Sequence, residues 1–441
     1  MPSQWTAEQV IALAPDAAAL KAAEGLASPR KWVLLGQDDA SAWGECQGSG
    51  SKPYQVVIDL STPAFHCTCP SHKFPCKHGL ALFLQLARKP ETLEAGTPPG
   101  WVSEWLTKRA ARAEKTSAKA ADAAEKPADP AAQARRTEQR QQKILGGLSE
   151  LDLWLGDLVR RGLVTAQGQS YGYWDGIAAR MVDAQAPGAA RSLREMAGIP
   201  ASGEGWQERL LARIGLLYLL SQGYQRLDGL PESTRADLRT AIGWPVRQEE
   251  ILAQPGLRDR WLVLGRRVEI EENLKTQRSW LQGQAGGAIA LVLDFAYGSQ
   301  PLDTSLIPGT AFESELVYYP GSVPLRAAVK TRLGEIMPGG EPACAPNISA
   351  AIESHAAAIT ANPWIETTLL LLADVTPAGG EASLQIVDAA GADLPVASNF
   401  GKSWELIALS GGRPVALAAE WDGAALMPLS IWVGGRMIAL T

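Results

Sequence analysis

Apolar positions recur with different periods along the chain and divide it into stretches. Residues 1–30 hold two short helical patterns, with Thr6 placed to cap the first and Asp16 just before the apolar run of the second. β-type segments follow at Trp32–Leu35, Ala42–Gln47 and Tyr54–Asp59, and Gly48–Ser51 between the last two reads as a hairpin turn. Gly79–Arg88 has the length and apolar content of a short buried helix. From Ile144 the period is helical: Ile144, Leu145, Leu148, Leu151, Leu155, Leu158 and Val159 fall on one face. Further helices fit Ala189–Ala197, Trp206–Ser221 and Pro231–Ile242. Past Trp244 the signal is mainly strand, at Arg260–Glu272, Ser279–Gly283, Ala288–Ala296 and Glu313–Tyr319. A helix returns at Ile348–Thr360 with Asn347 as its cap. Strands then close the chain at Glu366–Asp374, Ser383–Asp388, Trp404–Ala408, Val415–Trp421, Leu429–Val433 and Met437–Leu440.

Residues 110–143 stand apart. They are rich in Ala and charge, with eight Lys/Arg against five Asp/Glu and almost no large apolar residue, so they read as a linker. Pro127 and Pro130 argue against one unbroken helix there. The fold class expected is therefore α+β and multidomain. An N-terminal domain (1–107) contains a small strand–strand–helix module at about 54–90. A linker (108–143), a helical domain (144–245) and a mixed, mainly β region (246–441) follow, the last of undecided topology.

Composition is that of an ordinary globular chain, 46% hydrophobic and 20% charged over 441 residues. A net charge of −6 gives no global attraction to nucleic acid or anionic membranes, so such binding needs a local patch. The N-terminus has neither a basic nor an apolar leader segment. The longest apolar runs, Leu210–Leu220 and Ala288–Ala296, are interrupted by Arg213 and Asp294 and are too short to span a bilayer. Of five cysteines (Cys46, Cys67, Cys69, Cys76, Cys344), three fall within ten residues. That clustering suits reduced thiols gathered for a metal in the cytoplasm better than a disulfide framework.

The chemistry concentrates in Phe65–Arg88, FHCTCPSHKFPCKHGLALFLQLAR: Cys-x-Cys, six residues, then Cys-x-His. Structural Zn²⁺ takes four tetrahedral S/N ligands. A Cys-x-Cys pair in extended backbone points both thiolates to one side, and a Cys-x-His pair entering a helix supplies two more. Cys67, Cys69, Cys76 and His78 are therefore the expected ligands of one zinc, with no position left open for a reacting water. Three thiolates, a neutral imidazole and Zn²⁺ sum to −1, which Lys73 and Lys77 can offset. The module's own core, mainly Leu80, Phe83, Leu84 and the hairpin, is small enough to need the metal.

On these residues the segment resembles a SWIM-type zinc finger, Cys-x-Cys, a variable spacer and Cys-x-His in a strand–strand–helix arrangement. WGECQGSGSKPYQVVIDL followed by CTCPSHKFPCKHGLALFL is similar to bacterial SWIM zinc-finger proteins over about residues 30–90. The resemblance implies a module that binds DNA or protein, and a partner among MoxR-type AAA+ ATPases and von Willebrand A-domain proteins.

Other candidates read as structure. Gly48-Ser49-Gly50-Ser51-Lys52 lacks the Gly-Lys-[Ser/Thr] of a phosphate loop and joins two strands. His66 and His72 are polar neighbours of a ligand set already complete. Cys46 fits a buried strand position, Cys344 and His355 lack partner motifs, and Glu249-Glu250 and Glu271-Glu272 are solvated charges. With no nucleophile elbow, HExxH or dinucleotide fingerprint, the expectation is a non-catalytic protein-interaction module. The alternative is nucleic-acid binding through Lys52, Lys73, Lys77, Arg88 and Lys89. Residues 1–109 nevertheless carry ten basic and ten acidic residues, with no excess for phosphate.

Overall fold

The computed structural model describes residues 5–48, 52–61, 63–71, 73–111, 130–271, 273–298, 300–380 and 383–440. Helix α1 (Ala7–Ile11) opens with a reciprocal cap. The Gln9 N–H donates to Thr6 Oγ1 at 3.2 Å, and the Thr6 N–H to Gln9 Oε1 at 3.0 Å. Asp16 caps α2 (Ala17–Glu24) by accepting the Ala19 N–H at 2.7 Å. A sheet of order β4-β3-β2-β1-β5 follows, from β1 (Trp32–Gln37), β2 (Ser41–Cys46), β3 (Tyr54–Asp59), β4 (Ala64–Cys67) and β5 (Glu94–Ala95). Cys46 lies opposite Tyr54, as the expected hairpin requires, though Ser49–Ser51 of its turn lie outside the described residues. Side chains alternate across this sheet. Ala42, Val56 and Ile58 pack with α3 (Lys77–Arg88), while Trp43 and Val57 pack with Val102, Trp101 and Trp105 of a helix α4 (100–111) on the other face.

The helical domain comprises α5 (Pro130–Arg161), α6 (Tyr171–Asp183), α7 (Pro187–Met196), α8 (Trp206–Gln225) and α9 (Glu232–Ile242). Ile144, Leu148, Leu151, Leu155 and Leu158 are all buried in its core, whereas Val159 turns out to be exposed. The linker boundaries are also corrected. Residues 108–111 belong to α4 and 130–143 to α5, and 112–129 lie outside the described residues. Pro130 opens α5 and so breaks nothing, because a first-turn N–H needs no helical partner.

Residues 257–338 make a closed barrel from β6 (Leu257–Glu271), β7 (Leu274–Gly283), β8 (Ile289–Tyr297), β9 (Thr310–Tyr318) and β10 (Arg326–Pro338). Around the barrel the strands run β6-β7-β8-β10-β9 and back to β6. Every pairing is antiparallel except β8 with β10. That is the Greek-key order of an OB-type barrel. Short α10 (Gln248–Leu252) packs on β9 and β10 through Ile251.

The last unit is a sheet of order β13-β12-β11-β14-β15-β16, with α11 (Ile348–Ala361) and α12 (Ser403–Ser410) against it. Its strands are β11 (Thr368–Ala378), β12 (Gln385–Val387), β13 (Asp393–Pro395), β14 (Val415–Trp421), β15 (Leu426–Val433) and β16 (Arg436–Ala439). Asn347 caps α11 as expected, accepting the Ala350 N–H at 2.9 Å. Trp404–Ala408, expected as a strand, is instead the middle of α12. Ser403, Leu406 and Ser410 are buried at helical spacing while Trp404 is 60% exposed, and Gly411 ends the helix at φ 57°.

The units share surfaces. One continuous core runs from Trp5, Val10 and Leu13 through Phe65, Leu80 and Phe83 into Trp261, Val263, Leu281 and Phe312 inside the barrel. The expectation that the N-terminal module rests on a small core of its own is thereby corrected. On the barrel's outer side, Leu262, Leu264, Trp280 and Leu291 pack on Leu371, Ala418, Leu429 and Trp432 of the last sheet. Gly265 is required there, because a Cβ would lie 2.6 Å from Leu429 Cβ. Buried Glu420 of β14 accepts from Arg267 (2.9 Å), Arg278 (2.7 Å) and the Trp280 indole (2.7 Å). The helical domain keeps a separate core, against which Trp364 packs, and is also tied on by polar contacts. Asp237 accepts from the Ser322 N–H (3.1 Å) and the Asn362 amide (3.0 Å), and the Trp364 indole donates to the Leu216 carbonyl at 3.3 Å.

Candidate metal centre

Cys67 ends β4, which pairs with β3 so that Cys67 lies opposite Val56 and His66 opposite Val57. Alternation therefore sends Cys67 and Phe65 toward α3 and sends His66 away, where its ring stacks on Trp105 at 5.8 Å. The strand register continues one residue further, for the Gln55 carbonyl accepts the Thr68 N–H at 3.1 Å. Cys69 follows with its backbone already leaving the sheet. The chain returns through a cis Phe74–Pro75 bond. Cys76 then takes the N-cap position of α3, with extended backbone (φ −74°, ψ 164°), and accepts the Gly79 N–H on its sulfur at 3.4 Å. His78 lies in the first turn, 5% exposed, with its ring 4.9 Å from that of Tyr54. Gly79 leaves room for Phe65, whose ring a Cβ would meet at 3.1 Å.

These elements bring all four expected ligands together. The ligating atoms of Cys67, Cys69, Cys76 and His78 lie within 4.8 Å of one another, and Cys67 Sγ is 3.7 Å from His78 Nδ1. Zn–S bonds of about 2.3 Å and Zn–N bonds of about 2.0–2.1 Å imply tetrahedral edges of roughly 3.5–3.8 Å. Three thiols and one imidazole at this separation fit one structural zinc, and the set is closed. His72 lies outside the described residues.

The sulfurs are electrostatically unequal. The hydrogen bond from Cys67 holds the Cys76 thiol down at about 4, assisted by His78 and the Gly79 N–H against the effect of burial. Sharing that proton with Cys76 raises Cys67, as does burial, and burial also raises Cys69. Such a cluster exchanges its remaining protons for a metal ion. Cys46 is fully buried in the shared core, its thiol raised by burial, and it belongs to the packing. Of the two lysines expected to offset the site's charge, Lys73 is paired with Asp16 at 2.6 Å.

Cys344 donates to the Pro342 carbonyl at 3.7 Å, and His355 Nδ1 lies 2.9 Å from Thr368 Oγ1. The described residues contain no helix long and apolar enough to cross a membrane. Sequence reading missed the buried Glu420 cluster and Arg266, whose guanidinium lies 2.9 Å from the Ala12 carbonyl. Their partners are far away in the chain, and no local spacing marks them.

Two family models match the chain. The SWIM zinc finger covers residues 54–87, and the SWIM-associated four-helix bundle domain covers residues 139–242. No curated protein and no solved structure matches it.

Proposed function

We propose that this SWIM-type zinc finger protein is a non-catalytic adaptor of the cytoplasm, whose zinc holds a scaffold that presents surfaces to a protein partner. The observation that carries this reading is the outward face of α8. Leu210, Ile214, Leu217 and Ser221 are buried on one side of this helix. On the other, Leu211, Tyr218 and Leu219 remain 50%, 48% and 48% exposed, with Gly215 between them. Exposed apolar side chains gathered on one helix face support a partner surface. The partner class that the finger's resemblance supplies is a MoxR-type AAA+ ATPase or a von Willebrand A-domain protein.

Nucleic-acid binding is the second reading, favoured by Lys52, Lys77 and Lys89, which make no ion pair among the described residues. Two observations weigh against it. The other two basic residues of the finger are engaged by α2, Lys73 with Asp16 and Arg88 with Glu24 at 3.3 Å. The second and third strands of OB-type barrels commonly bind oligonucleotides, and here Trp280 of β7 and Leu291 of β8 lie under the last sheet.

The test is a pull-down from native lysate with the intact protein, with and without nuclease, beside Cys76→Ser and a Leu211→Lys/Leu219→Lys variant. The adaptor reading expects a nuclease-resistant protein partner that the α8 variant loses, while Cys76→Ser shows what the finger adds to that contact. Recovery that vanishes with nuclease, or oligonucleotide binding that weakens steeply with salt, transfers the function to nucleic acid.

A further inference from the structure

A cavity of about 630 Å³ opens where three units meet. The end of α1 and the zinc loop form one wall, the projecting β6–β7 arm a second, and residues 399–402 with the end of the last sheet a third. Its walls are apolar and incompletely covered, with Ile270 66% and Phe74 37% exposed, beside Leu302 and Phe400.

The charges in this cavity are unbalanced. Lys73 and Arg267 reach it already paired, with Asp16 and with Glu420 and Glu269 respectively. Three other cations line it, Arg266, Lys275 and Lys402, and none makes an ion pair among the described residues. Arg266 has five N–H donors, and its one side-chain hydrogen bond among the described residues is to a neutral acceptor, the Ala12 carbonyl. Burial lowers its guanidinium to about 10, opposed by Asp303. A partly buried cation with no carboxylate in salt-bridge contact is costly, and an anion entering the cavity supplies one. The apolar walls require more than a simple anion. They call for a ligand whose carboxylates stand beside apolar side chains. A nucleic-acid backbone wants a continuous basic track with stacking faces, whereas these three cations sit among aliphatic and aromatic walls.

We infer that this three-unit cleft is a docking site for an acidic, apolar peptide segment of a protein partner, its carboxylates meeting Arg266, Lys275 and Lys402. This rests on the adaptor reading and gives it a second contact surface, independent of α8. Because Lys73 and Phe74 of the zinc loop form one wall, occupancy of the zinc site keeps the cleft in shape.

The experiment pans a phage-displayed random peptide library on the full-length zinc-loaded protein, then titrates the enriched peptides by fluorescence polarisation. The expected peptides combine Asp or Glu with large apolar residues. Lys275→Glu/Lys402→Glu weakens them at least about tenfold while zinc content and thermal midpoint hold, and Arg266→Gln weakens them as well. Failure to enrich, peptides without acidic residues, or affinity indifferent to the charge reversal overturns the proposal. A dye-labelled oligothymidylate that binds wild type and is lost in the same variant overturns it in favour of nucleic acid. A lysate partner recovered equally by wild type and the charge-reversed protein overturns the cleft but leaves the adaptor reading standing. Recovery of no protein partner at all overturns both.

Discussion

Cys76 has two roles at one position, ligand to the metal and cap of α3, and serine, itself a favoured N-cap, removes only the first. Cys76→Ser is expected to abolish stoichiometric zinc by elemental analysis and to forfeit a large share of the roughly 10–16 kcal/mol that structural zinc sites provide. Cys69→Ser should release zinc as well and cost a similar amount. A variant of either kind that keeps one zinc per chain would refute the ligand assignment. Glu420 is a residue of a different kind, 3% exposed and held below the usual carboxylate range. Burial alone would raise it, but Arg278, the Trp280 indole and Arg267 outweigh that effect. A depressed carboxylate contributes stability that is complete above its unfolded value, about 4.3, and disappears as pH falls through its folded value. Glu420→Gln should therefore cost about 3–5 kcal/mol in urea unfolding at neutral pH and progressively less under acid conditions. An equal loss at every pH would contradict the assignment. The four zinc ligands were legible because they lie within twelve residues and their spacing carries the chemistry. Glu420 was not, because its partners are more than a hundred residues away.

At the scale of elements, amphipathic patterns gave most helices and strands, and the failures have local causes. β10 was missed because bulges at Val329/Thr331 and Leu333/Met337 break its alternation. α6 was missed because Gly172 and Gly176 dilute a stripe otherwise clear in Trp174, Ile177, Ala178 and Met181. α12 looks like a strand in sequence because a short apolar run fits either period, and only its buried spacing decides. Two element-level outcomes follow from named contacts. Asn347→Ala should cost about 1 kcal/mol by loss of the α11 cap, measurable as a shift in unfolding midpoint. Gly265→Ala should cost roughly 1–3 kcal/mol, because its Cβ must displace Leu429 where barrel and last sheet meet. An unchanged midpoint would mean the two units do not press together there.

The whole molecule is where sequence reading ended, since closure of β6 onto β9 and the parallel β8–β10 pairing are long-range facts that no periodicity encodes. The finger shares a core with the barrel, whereas the helical domain has its own. Metal removal is therefore expected to weaken the finger and barrel together and to spare the helices, giving two separable transitions in calorimetry. Hydrogen exchange of the full chain, with zinc and after chelation, tests this most directly, because protection reports opening region by region. The account predicts that protection is lost in residues 54–88 and also falls in the barrel strands around Trp261, Leu281 and Phe312, while α5–α9 are unchanged. Loss confined to the zinc loop, or loss spread equally into the helical domain, would contradict it.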